Sequence, residues 1–210
     1  MNTSSWRSKA EERPWYAPAY SLVSDIKHET IIEFGSGLGE FAKKISEGKN
    51  DLTCLDIDKE YVKSLKIRGY KAKMADFNSK LDFKQSTFDG AICLEVLEHI
   101  VNAEFFLSEI HRILKDNGWL LLSTPNIAWI GYRIRHLLGN VPPKEGYHYR
   151  FFNNSYLKKI IEDKGYRIIK ESSITPLPLS RIFFKKPIWI KPKVLQNLFV
   201  QDIIILARKI

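Results

Sequence analysis

The segment Thr30-Ile31-Ile32-Glu33-Phe34-Gly35-Ser36-Gly37-Leu38-Gly39 decides how this chain is read. Its first five residues are apolar or β-branched except for Glu33, which predicts a buried strand over Thr30–Phe34. Glycine then stands at every second position, and an amphipathic stretch over 39–47 follows. Glycines in such a turn let the backbone bend tightly and approach a ligand closely. The helix start behind them offers free N–H groups that favour an anion such as a carboxylate.

Outward from this segment, short apolar runs alternate with amphipathic ones, the mark of βαβ units. Further strands are predicted over 52–55, 71–75, Phe88–Leu94, 119–123, 167–171 and 202–207. Helices are predicted over 59–68, closed by Gly69, over 103–115, ended by Asp116-Asn117-Gly118, and over 155–164. The expectation is one α/β domain over 1–210, with a mostly parallel seven-stranded sheet flanked by helices. Residues 1–29, with Trp6, Trp15, Tyr16 and Tyr20, read as an N-terminal helical cap. Two irregular stretches, 126–152 and 175–199, read as lids over an acceptor site, because long irregular segments in compact domains are usually functional.

Composition narrows the classes. The chain has 210 residues, 44% hydrophobic, and lacks an apolar run of about eighteen residues that would span a bilayer. Its first ten residues carry polar and charged groups where a signal peptide has its apolar core, so the expected location is cytoplasmic. Two cysteines, Cys54 and Cys93, each lie within a strand-like run, which excludes a disulfide framework and favours packing roles. The net charge of +9 admits a nucleic acid, an anionic membrane surface or an acidic substrate, and does not choose among them.

Two ligand classes use a glycine turn of this kind, dinucleotides and S-adenosylmethionine. The dinucleotide fingerprint wants glycine at the position held here by Glu40, and Glu33 adds a second carboxylate beside the turn. Carboxylates repel a diphosphate but suit a ligand with an ammonium and a sulfonium. Asp56 ends the second strand, where an acid accepts hydrogen bonds from ribose hydroxyls. Asp58, just before the next helix, is better placed to cap it, which leaves Asp56 for the ligand.

These residues, with Ala75-Asp76-Phe77, Phe88 to Ile100 and Leu114 to Asn126, resemble the class I S-adenosylmethionine-dependent methyltransferase superfamily, over roughly residues 31–171. The resemblance implies a Rossmann-like methyltransferase fold. It also implies cofactor-binding roles for Glu33, Gly35, Ser36, Gly37, Gly39, Asp56, Ile57, Asp76, Phe77, Leu94 and Glu95. Asp76 is expected to meet the adenine amino group, and Phe77 to pack on its ring.

Methyl transfer is an in-line displacement from a good leaving group, so much of the protein's work is alignment and exclusion of water. A hydroxyl acceptor also needs its proton removed, by a side chain or through a metal. Two places offer this chemistry. Glu95-Val96-Leu97-Glu98-His99 follows the fourth strand, and its acids and His99 resemble a stretch in ubiquinone-biosynthesis O-methyltransferases associated with a divalent ion. Gly146-Tyr147-His148-Tyr149-Arg150-Phe151-Phe152 resembles the acceptor lid of the same small-molecule enzymes, which marks His148 as general base or acceptor-orienting residue.

The leading expectation is therefore transfer to a hydroxyl of a small molecule, whether lipid-like, glycan or aromatic. The basic aromatic stretch 177–198 is a candidate for a lipid headgroup, an acidic substrate or a membrane surface. A nucleic-acid or protein acceptor is the alternative; the base-methylating string Asn/Asp-Pro-Pro-aromatic is replaced here by Leu94-Glu95-Val96-Leu97, which counts against nucleic acid. A partner subunit that binds cofactor without catalysis is the third reading, and the intact loop and acids weigh against it.

Overall fold

The computed structural model describes residues 13–140, 148–176, 188–191 and 195–210. Eight strands form one sheet in the order β3-β2-β1-β4-β5-β8-β6-β7. The strands are β1 (Thr30–Phe34), β2 (Asp51–Asp56), β3 (Lys71–Met74), β4 (Phe88–Leu94), β5 (Leu114–Pro125), β6 (Tyr166–Pro176), β7 (Trp189–Ile190) and β8 (Asp202–Lys209). Strands β1 to β5 pair in parallel, and β8 runs antiparallel between β5 and β6. The seven-stranded expectation is corrected by the two-residue β7, which pairs with the end of β6. So short an edge strand carries too little alternation to be legible in sequence.

Among the described residues the helices are α1 (Tyr16–Val23), α2 (Glu40–Ser46), α3 (Lys59–Ile67), α4 (Ala103–Ile113), α5 (Ile130–Leu137), α6 (Asn154–Asp163) and α7 (Gln196–Phe199). The parallel strands are apolar on both faces because both are covered. Ile31, Ile92, Leu121 and Ile204 pack with Phe41, Ile45, Val62 and Leu65 of α2 and α3. Their neighbours in sequence, Ile32, Cys93, Leu122 and Ile205, pack with Phe106, Ile110, Leu157 and Ile161 of α4 and α6. This period-two division makes the three-layer α/β/α sandwich.

Local boundaries follow side-chain chemistry. Asp58 caps α3 by accepting the N–H of Glu60 at 2.7 Å, the role read from sequence. Strand β5 begins earlier than expected, because Leu114 pairs with Phe88 and the Asp116-Asn117-Gly118 turn becomes an interruption inside the strand, with Asn117 at φ 62°. The first irregular stretch contains a helix not expected from sequence, α5. Residues 1–12, 141–147 and most of the second stretch, 177–187 and 192–194, lie outside the described residues.

The chain winds from β1 outward to β3, then returns to β4 on the other side of β1. Open α/β sheets bind ligands at the carboxyl ends of the strands at such a reversal. The glycine turn after β1 and the Glu95 to His99 segment after β4 meet at that point.

Candidate active site

The turn after β1 is held open by its neighbours. Gly35 and Gly37 have φ of 67° and 53°, in the left-handed region that glycine adopts without strain. A Cβ on Gly35 would stand 2.5 Å from Cγ2 of Val96, so the turn presses directly on the segment that carries Glu98 and His99. A Cβ on Gly37 would meet nothing within 4 Å, so the backbone there faces open space. Asp56 fixes the loop from the next strand, accepting the Gly37 N–H at 2.8 Å on Oδ2 and the Asp58 N–H at 2.9 Å on Oδ1. Ser36 also donates its N–H to the Leu55 carbonyl at 3.1 Å.

The acids here are buried. Burial, with Glu40 and Asp56 nearby, pushes the Glu33 carboxyl up to about 8. Burial also raises Asp56, against the backbone N–H groups of Asp58, Gly37 and Ile57 that hold it down. Among the described residues, the charged groups named as acting on these two acids are themselves acids, Glu40, Asp56 and Asp58. Ile57 is exposed beside Asp56, as is Met74, its partner residue across β3. Asp76 is exposed and accepts the Asn78 N–H at 2.9 Å. The Phe77 ring, expected on an adenine, lies in the core instead: its centroid is 5.3 Å from Phe34 and 5.4 Å from Phe106, stacked on the latter. The core gap between β1 and α4 draws the ring inward, because burying it there removes more apolar surface than the open edge would.

At the end of β4, Leu94 is half-buried and Glu95 takes φ 55°, a strained conformation for a non-glycine residue. Ser123 locks it, with the Glu95 N–H on Ser123 Oγ at 3.1 Å and the hydroxyl donating to Glu95 Oε1 at 2.6 Å. The chain then makes a single 3-10 turn over Leu97–His99. Glu98 is buried, accepts the Thr124 hydroxyl at 3.0 Å, and is held well above the usual carboxylate range by burial and by Glu95.

The Glu98 carbonyl accepts the N–H groups of Tyr149 and Arg150, at 2.9 and 3.1 Å, and Arg150 Nε donates to the Val101 carbonyl at 2.8 Å. These bonds bring His148 to His99, with ring centroids 4.7 Å apart and nearly perpendicular. Glu98, His99 and His148 each present a ligand atom within 4.8 Å of the others. Of the trio considered from sequence, Glu98 and His99 belong to this cluster; Glu95 is occupied by Ser123, and His148 stands in its place.

A family model described as a methyltransferase domain matches residues 10–171. The chain belongs to the methyltransferase domain family. Its Rossmann-like fold is shared with S-adenosylmethionine-dependent methyltransferases of solved structure. A probable S-adenosylmethionine-dependent methyltransferase of Mycolicibacterium smegmatis is 26% identical over 164 residues, covering 76% of this chain and 62% of the relative. A ubiquinone biosynthesis O-methyltransferase of Rickettsia typhi is 26% identical over 159 residues, covering 69% and 63%. The chain thus spans a little under two thirds of the length of these relatives. In fold, a SAM-dependent methyltransferase from Archaeoglobus fulgidus superposes with a TM-score of 0.73 at 19% identity, covering 98% of this chain and 96% of the other.

The residues present fit the methyltransferase's cofactor. A sulfonium with an ammonium is cationic, and the turn gathers Glu33, Glu40, Asp56 and Glu95 while leaving open space at Gly37. Sequence reasoning missed one contributor to this mouth. Tyr16 of α1 packs on Phe41 of α2 at 5.4 Å, and its buried hydroxyl, raised well above its usual range by that burial, feels Arg13, Glu33, Glu40 and Glu95. Its aromatic character was visible, but nothing in its spacing linked it to acids beyond β1. The Glu98, His99 and His148 donors also suit a borderline divalent metal, since imidazole and carboxylate are its usual ligands.

Proposed function

We propose that this methyltransferase transfers the methyl group to a hydroxyl oxygen of a small acceptor at the carboxyl edge, with His148 as general base and His99 orienting it. The pairing of the two imidazoles beside buried Glu98, on a segment pressed against the glycine turn, carries the reading. Bound S-adenosylmethionine supplies an electrophilic methyl on a sulfonium leaving group. Asp56 would hold its ribose hydroxyls, Glu33 and Glu95 would answer its ammonium, and Ile57 and Asp76 would meet its adenine. His148 would take the proton from the acceptor hydroxyl as that oxygen becomes the nucleophile. The 26%-identical ubiquinone-pathway relative supports an oxygen acceptor.

A second reading has the three donors holding a divalent ion that lowers the acceptor's pKa. The test follows S-adenosylhomocysteine formation with phenolic and lipid-like hydroxyl acceptors. His148→Ala is expected to lower the rate by about a hundredfold or more with cofactor affinity unchanged. Turnover that survives exhaustive chelation supports the base. Loss on chelation, with recovery on adding a divalent ion, moves the role to the metal, and an unaltered rate in His148→Ala without chelation sensitivity removes both.

A further inference from the structure

Helices α1 to α4 and α6 each bury at least two residues, whereas α5 buries none. Yet α5 is amphipathic: Ile130, Ile134 and Leu137 recur at i, i+4 and i+7, and Leu138 follows. At about 100° per residue these four side chains occupy an arc of roughly 100°, with Arg133 just beyond one border and Arg135 beyond the other. The apolar arc faces outward, with Leu137 86%, Leu138 73% and Ile134 49% exposed. An exposed stripe of this kind marks an interaction surface.

Charge identifies what it meets. From Asn126 to Asn140 there is no acidic residue, and the segment carries Arg133, Arg135 and His136. The adjoining strip from His148 to Ser155 also lacks acids and adds Arg150 and the exposed rings of Tyr149 and Phe151. The two strips are joined, because the Ile127 N–H donates to the Phe152 carbonyl at 2.9 Å. Apolar side chains flanked on both borders by arginines, with exposed aromatic rings on the adjoining strip, match the interface of an anionic bilayer. The leucines enter the acyl boundary while the arginines reach lipid phosphates.

We propose that α5 and the Tyr149 to Phe151 strip form a docking surface for an anionic phospholipid membrane, which places the carboxyl edge against the lipid headgroups. This goes beyond the chemistry proposed above and holds for any acceptor. It also differs from the basic aromatic stretch singled out in the sequence, most of which lies outside the described residues.

The test is co-sedimentation of the full chain with vesicles of phosphatidylcholine alone or with roughly one quarter phosphatidylglycerol. Binding is expected only with the anionic vesicles. Leu137→Glu with Leu138→Glu should weaken it about tenfold or more, and Arg133→Ala with Arg135→Ala about fivefold per arginine. The control Lys63→Ala with Lys66→Ala, on exposed α3 positions, should bind like the parent chain. Unchanged calorimetric binding of S-adenosylmethionine shows that each variant is folded. Equal sedimentation with both vesicles, an equal loss in the α3 control, or undiminished binding by the leucine variant overturns the proposal. So does a concentration-dependent dimer that the leucine variant abolishes, which assigns the surface to a second copy of the chain.

Discussion

Asp56 and His148 stand at the same edge of the sheet, but they are held there differently. Asp56 ends a strand paired on both sides, and two backbone N–H groups fix its oxygens. His148 begins a largely exposed strip tied down by loop contacts, with the Glu98 and Val101 carbonyls accepting from Tyr149 and Arg150 and the Ile127 N–H donating to the Phe152 carbonyl. Backbone register therefore sets the cofactor side, whereas the acceptor side is attached afterwards by loops. The first cannot shift without disturbing β1 and β2, while the second can change its side chains and leave the core intact. One scaffold can therefore keep its cofactor and vary its acceptor.

The sharpest way to break this contrast is to truncate one ring on each side. Phe77→Ala empties a site between Phe34 and Phe106 and should cost about 3–5 kcal/mol of stability in urea denaturation. Tyr149→Ala, at an exposed position, should stay within about 0.5 kcal/mol. A large loss in the second would show that the acceptor strip is part of the core after all.

Next in size is the acid proposed to hold the ribose. Asp56→Ala should weaken S-adenosylmethionine binding about a hundredfold in calorimetry, since hydrogen bonds to a charged group contribute about 1.5–3 kcal/mol each. Asp56→Asn, which keeps an acceptor for the Gly37 N–H, should retain the loop and lose less. If Asp56→Ala binds like the parent chain, the sugar lies elsewhere.

The gentlest test is pH. Glu33 titrates near 8 in the fold against 4.5 for a free side chain. Because the folded value is raised, the stability tied to its proton is complete below about pH 4.5 and drains as pH rises through 8. A cationic ligand favours the ionised form, so cofactor binding should release a proton. Affinity should climb by up to about tenfold per pH unit until the ligand's own amino group discharges near pH 8. Glu33→Gln should flatten that profile and raise the melting temperature at neutral pH; a flat profile in the parent chain would show that Glu33 and the ammonium do not meet.

Much of the cofactor side was legible because its signals are local. The glycine turn, Asp56 and the Asp58 cap are each read within a few residues of the strand or helix they terminate. The direction of Phe77 was not legible, since a ring beside a ligand edge and a ring in the core look alike until α4 is placed. Glu98, His99 and His148 were each visible, but their meeting depends on a carbonyl bridging residues far apart in sequence. Helix α5 escaped notice because its apolar residues sit among arginines and aromatics that read as loop, and no core burial anchors the pattern.

Strand β8 carries a consequence for how the molecule is made. It lies between β5 and β6, pairing Trp119 with Arg208 on one side and Tyr166 with Lys209 on the other. While residues 202–209 are still inside the ribosome, β5 has a bare apolar edge and β6 has no central neighbour to zip against. The β5-β8-β6 part of the sheet can then close only once β8 has emerged, and until that moment its open edge is a target for aggregation and for chaperones.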